Sequence, residues 1–232
     1  MVEDPTYLEL TRIKSEIQSF KQSLKEVAPF YEFELTPSDD SFFGFIAKHI
    51  VFFKYLALTA LTANDKFYLK ILISDSYSLI LSILENRVRY SYLNERSIIE
   101  NFVLFTLYQL PTKCRISAPI MNEYRYKMNL TDSDYSLLKS EYRTACGYIH
   151  GSDEFTNYLA THWKECILRR NKNIGDRFQY YARLVKIFKI LDRSLIRYRA
   201  EYVNGAFHRK KSLMCYLVGK PQVDTLRYLL NQ

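Results

Sequence analysis

The stretch 42-FFGFIAKHIVFFKYLALTALTA-63 decides the fold. It is the most apolar window of a 232-residue chain, and it reads either as a membrane span or as a helix at the centre of a bundle. Lys48, His49 and Lys54 interrupt it. It therefore falls short of the roughly 18 uninterrupted apolar residues that mark a spanning segment, and a buried helix with His49 in the core is the expectation. The opening residues, MVEDPTYLELTRIKSE, are charged and amphipathic. They lack the apolar segment and small-residue cleavage site of a secretory signal, so the reading is of a cytoplasmic protein that does not enter a membrane.

Helical periodicity continues on both sides of this window. An amphipathic helix is expected over Pro5 to Val27, followed by the connector APFYEFELTPSDD, in which Ser38 or Asp39 serves as N-cap. The apolar helix should run to about Ala63 and turn at NDK. Helices from Lys66 to Arg87 and from Asn94 to Leu110 follow, and Pro111 ends the second. The segment PTKCRISAPIMNEYRYKMN is irregular by composition. Thr131 with Asp134 three residues on opens the next helix, and Gly151 stands where a C′ glycine would close it. Further helices are expected over Glu154 to Leu168 and Arg177 to Val203, the latter with apolar residues spaced by three and four.

Six glycines and six prolines are few for this length and disfavour a loop-rich all-β architecture. The chain therefore reads as all-α, one helical domain over residues 1–232. Its core is an antiparallel bundle over about 39–168, with an N-terminal arm (1–36) and basic C-terminal helices (169–232). A hydrophobic content of 48% excludes a disordered chain. The four cysteines are widely spaced and suggest no disulfide framework, which points to a reducing compartment.

The net charge of +8 is unevenly spread. Lys164 to Lys220 holds 15 Lys and Arg against 4 Asp and Glu, and the rest of the chain is net acidic. Such a segment suits a polyanion, with RNA as the first partner expected. The cations assigned to it are Arg169, Arg170, Lys172, Lys186, Lys189, Arg193, Arg197, Arg209, Lys210 and Lys211, with His208 among them. A solvated basic face with no partner is the plain alternative.

One chemistry emerges from 141-EYRTACGYIHGS-152. Residues seven apart on a helix differ by about 20° in azimuth and roughly 10.5 Å in rise. Arg143 and His150 therefore point the same way, and Gly147 lies between them. A mid-helix glycine costs about 1 kcal/mol relative to alanine, so it asks for a reason. One is a notch in which a phosphodiester rests between guanidinium and imidazole; another is close approach of a neighbouring helix. Arginine holds phosphate oxygens in a bidentate way, and histidine titrates near neutrality. Together they are a minimum for RNA cleavage without a metal, but one histidine does not readily serve as both base and acid. A symmetric dimer supplies the second.

An arginine and a histidine a few residues apart near the end of a helix, in an all-α bundle, resemble the HEPN superfamily of ribonucleases. RTACGYIH carries the likeness through Arg143 and His150, and NERSIIENFVLF resembles the helix of some HEPN-like families through Arg96 and Glu100. The resemblance covers about residues 40–168. It implies a metal-independent endoribonuclease, a composite site in a homodimer, and a role as a toxin or anti-phage effector with a neutralising or regulatory protein partner. Thr144 takes the place where such families commonly carry Asn, Asp or His, and Arg96, Glu100, Gly147 and Tyr148 are expected to support the site.

Two other readings use the same residues. Arg143 forming an ion pair and His150 capping its helix is purely structural. Cys146 and His150, with His162 and Cys166 on the following helix, are each four apart and offer four zinc ligands in place of a catalytic histidine. A catalytically inactive helical adaptor, binding nucleic acid or a protein, completes the set. No Walker, dinucleotide-binding, HExxH or nucleophile-elbow motif occurs.

Overall fold

The structure is a computed structural model that describes residues 5–60, 62–110, 116–150 and 176–231. Ten α-helices account for most of these residues, and no strand occurs among them. They are α1 (Pro5–Val27), α2 (Pro37–Leu58), α3 (Ala63–Leu84), α4 (Val88–Thr106), α5 (Ala118–Lys127), α6 (Asp132–His150), α7 (Arg177–Tyr198), α8 (Ala200–Ala206), α9 (Lys211–Val218) and α10 (Lys220–Leu230). The all-α class expected from the sequence is what the chain adopts.

Helix α2 begins two residues before the expected caps. Thr36 is the N-cap, Pro37 holds the first turn, and Asp39 at the third position accepts the Thr36 amide at 2.8 Å. The Asp39 carboxylate is fully buried. It also accepts the Tyr181 hydroxyl at 2.8 Å and lies 3.1 Å from the Arg177 guanidinium, so the cap of α2 is tied to the start of α7. At its other end α2 stops at Leu58. The NDK segment lies in the first turn of α3, because Thr62 caps that helix by accepting the Asp65 amide at 3.0 Å.

By length and composition alone, α2 and α3 are long and apolar enough to cross a membrane, with mean hydropathies of 1.4 and 1.5 over their most apolar windows. In the fold these windows are 61% and 50% buried within the protein. Phe43, Ile46, Phe52, Phe53 and Leu56 of α2 are wholly buried, and α2 packs against α1, α3, α8 and α9. His49 is fully buried as expected.

Around this helix α3 packs on α4, α4 on α6, and α7 on α4, α6 and α10. One continuous buried cluster reaches from Ile13 in α1 to Leu226 in α10 and includes Tyr180, Phe188, Leu191 and Leu195 of α7. The aromatic richness is used in packing: Tyr181 stacks on Phe42 with centroids 4.0 Å apart, and Phe52 on Phe207 at 5.4 Å.

Other boundaries also differ from the expected ones: α4 ends at Thr106, short of Leu110. The segment thought irregular contains α5, where Pro119 sits in the first turn after Ser117 and Met121 and Tyr124 enter the core. Helix α4 starts at Val88, six residues earlier than expected, since Ser91 and Tyr92 are buried against neighbours. The helix expected to continue to Val203 breaks at Arg199, whose backbone leaves helical geometry (φ −124°, ψ 40°). There the guanidinium turns inward to Asp65 and to the Phe105 carbonyl. The expected helix over Glu154 to Leu168 and the Gly151 cap lie outside the described residues.

Candidate functional site

Helix α6 positions the candidate site. Thr131 accepts the Asp134 amide at 3.2 Å, the N-terminal cap expected from the sequence. Tyr135, Leu138, Glu141 and Ala145 form its buried stripe. Ser136, Ser140, Arg143 and Gly147 form the opposite, exposed stripe. Arg143 and Gly147 thus share a face that looks outward, and Thr144 and Tyr148 are also exposed. His150 is the last residue of α6, two turns beyond Arg143 by helical register.

The surroundings of Gly147 bear on the two reasons offered for it. A Cβ placed there would meet nothing within 4 Å among the described residues. Close approach of another described helix is therefore not why it is glycine. Arg143 makes no ion pair or hydrogen bond with another described residue.

Arg96 and Glu100 do not join Arg143. Both are buried to 9% exposure, on α4, with the Arg96 Nε and a terminal guanidinium nitrogen each 3.2 Å from Glu100 Oε1. The same oxygen accepts the Tyr142 hydroxyl, and the Arg96 guanidinium lies 5.8 Å from the Tyr142 ring centroid. Burial first, and then the Glu100 carboxylate, raise the Tyr142 pKa, which keeps the phenol a neutral donor. This cluster braces α6 against α4 and sets the rotation that turns the neighbouring Arg143 outward. Sequence reading treated Arg96 and Glu100 as support for the site but missed Tyr142. No local pattern marked it, because its partners Glu100 and Arg96 lie on another helix.

Two further contacts fix the end of α6. Tyr148 stacks on Tyr92 at 3.9 Å with the rings 7° from parallel. Arg89 donates to the Ile149 carbonyl at 2.8 Å, answering one of the carbonyls a helix end leaves open. Beneath them Glu95 is 1% exposed, and its carboxyl is pushed up to about 8. Burial is the main cause and the Glu141 charge adds to it, while the Tyr180 hydroxyl and Arg183 act in the opposite sense.

The C-terminal cations divide into two groups. Arg177, Arg183, Arg193, Arg199 and Lys210 form ion pairs with Asp39, Glu141, Asp134, Asp65 and Glu9, all acids from the earlier, net-acidic part of the chain. The charge asymmetry of the sequence is thus partly a complementarity between the two parts of one fold. Arg193 and Lys210, both assigned to nucleic acid, belong to this paired group. Lys211 is half-buried and donates to Asn204 at 2.7 Å. Lys186, Lys189, Arg197, His208 and Arg209 are exposed. Arg169, Arg170 and Lys172 lie outside the described residues.

Of the four zinc ligands considered, Cys146 is a half-buried free thiol, and His162 and Cys166 lie outside the described residues. Among the described residues no group of three or more His, Cys, Asp or Glu is arranged to hold a metal ion.

Comparison of the chain with family models, with curated proteins and with solved structures returns no match.

Proposed function

We propose that the chain is a metal-independent endoribonuclease of HEPN type, working as a cytoplasmic homodimer in a toxin or anti-phage role. The observation that carries this reading is the outer face of α6. It offers an exposed guanidinium at Arg143, space above Gly147 that is open among the described residues, and the position of His150 two turns on by helical register. A charged arginine with no described acid beside it is available to a phosphodiester.

In this reading Arg143 binds the non-bridging phosphate oxygens and stabilises the charge that grows on them. His150 removes the proton from a ribose 2′-hydroxyl, and the freed oxygen attacks phosphorus. The bond to the 5′-oxygen breaks, and the partner's His150 protonates the leaving oxygen. The products are a 2′,3′-cyclic phosphate and a 5′-hydroxyl. Arg96, Glu100 and Tyr142 position α6, while the Thr144 hydroxyl and the exposed Tyr148 ring lie beside the RNA path. Lys186, Lys189, Arg197 and Arg209 add attraction for the polyanion.

Incubation of the protein with total RNA in EDTA tests the reading. Cleavage with cyclic phosphate ends, abolished by His150→Ala with the circular dichroism spectrum unchanged, is the expected result. Equal cleavage by parent and variant refutes it. The exposed cations also favour a second reading, a catalytically inactive adaptor, which predicts steeply salt-dependent RNA binding without products. Near-stoichiometric zinc in the purified protein would instead make His150 a ligand.

A further inference from the structure

A second concentration of charge lies away from α6, in an open cavity of about 620 Å³ between α1, α2, α7 and α9. Lys14 and Lys21 of α1, Lys48 of α2 and Lys189 of α7 line it. Among the described residues only Asp40 forms an ion pair with any of the four, through Lys21 at 2.5 Å. The wall between them is the Tyr216 ring, with the Lys48 ammonium 4.2 Å and the Lys14 ammonium 5.6 Å from its centroid. Burial, followed by the charges of Lys21 and Lys14, lowers the Lys48 pKa, so these ammonium groups repel one another across the cavity.

Gly44 is shaped to this arrangement. It is a buried glycine inside α2, and a Cβ there would come within 3.2 Å of the Lys21 Cε. The Lys21 stem lies over the place where a side chain would stand, and its ammonium is thereby held at the cavity.

Asp192 also lines the cavity, but its carboxylate is buried against His49, whose Nε2 lies 3.0 Å from Asp192 Oδ2. The four lysines therefore dominate the cavity, which suits a multiply charged anion.

We propose that this cavity binds a small phosphorylated molecule, with two or more phosphate charges set among the four lysines. The volume falls in the range of small-molecule sites. The site shares no residue with α6, and Lys189 alone is common to it and to the cations assigned above to RNA.

Calorimetric titration of the full chain with ADP and with inorganic pyrophosphate tests it. ADP and pyrophosphate are each expected to bind a single saturable site, and the binding should weaken as salt rises. Lys189→Gln, at an exposed position where the fold is secure, and Lys48→Gln should each weaken ADP binding about tenfold. Gly44→Ala, which displaces Lys21, should weaken it as well. Absence of saturable binding of either probe at about 1 mM overturns the proposal, as does binding that neither lysine variant alters.

Discussion

Arg199 grips both carboxylate oxygens of Asp65, at 2.8 and 3.0 Å, across 134 residues of chain. The guanidinium is also 3.8 Å from the Tyr108 ring centroid and 4.4 Å from those of Phe105 and Tyr202. Both residues are buried, so water does not screen the pair. Removing one partner leaves the other charge unanswered in the interior. Arg199→Ala is therefore expected to cost about 3–5 kcal/mol in chemical denaturation. Joint replacement by Arg199→Met and Asp65→Leu should recover much of that loss, because two apolar side chains leave no stranded charge. A double variant as unstable as the single one would show that the ion pair is not the source of the cost.

Asp39 serves as a similar clasp between α2 and α7, but through its capping role. It accepts the Thr36 amide and the Tyr181 hydroxyl and faces Arg177. Asp39→Ala should lower stability by about 3 kcal/mol, the sum of a lost cap and a lost buried charged hydrogen bond. Tyr181→Phe removes only the second link and should cost about 1 to 2 kcal/mol. Equal losses in the two variants would contradict a role for the cap.

These long-range clasps explain how far the sequence could be read. The helices, the buried character of 42–63 and the cap at Thr131 follow from local pattern, because periodicity and caps depend on residues within one turn. Arg199 is one of the 15 Lys and Arg of 164–220, and no local feature sets it apart. Its inward turn depends on Asp65, Tyr108 and Tyr202, which no local pattern brings together. The missed helix α5 has the same origin: its 10 residues have weak propensity, and burial of Met121 and Tyr124 decides the matter. At the site, the shared face of Arg143 and Gly147 was legible from a spacing of four. Tyr142, Lys14 and Tyr216 were not, since their partners lie on other helices. The uneven charge was visible, but its partial use in pairing C-terminal cations with acids from earlier in the chain required the fold.

Glu95 makes stability depend on pH. Its pKa rises from 4.5 in the unfolded chain to about 8 in the fold, so between these values the unfolded chain has released a proton that the folded chain keeps. Stability contributed by the protonated form is complete below 4.5 and is lost as pH rises through about 8, at up to roughly 1.4 kcal/mol per pH unit. Glu95→Gln removes this dependence. The variant and parent should melt alike near pH 4, and the variant should melt at the higher temperature near pH 8. The same difference at both pH values would exclude titration of Glu95 as the cause.

Gly147 offers a test that separates folding from function within one residue. The position is helical and exposed, and a Cβ would meet open space among the described residues. Helix propensity then acts alone, so Gly147→Ala should stabilise the protein by up to about 1 kcal/mol. A residue kept as glycine against that preference is expected where a ligand or a second copy approaches the backbone. On the ribonuclease proposal the variant should therefore be more stable to heat and yet cleave RNA more slowly than the parent. Gly147→Leu, with a bulkier side chain between Arg143 and the following turn, should reduce cleavage further while the melting temperature stays at or above that of the parent. Undiminished cleavage in both variants would remove the outer face of α6 from the reaction. A lower melting temperature in Gly147→Ala would mean that a structural contact, rather than access for RNA, holds the glycine in place.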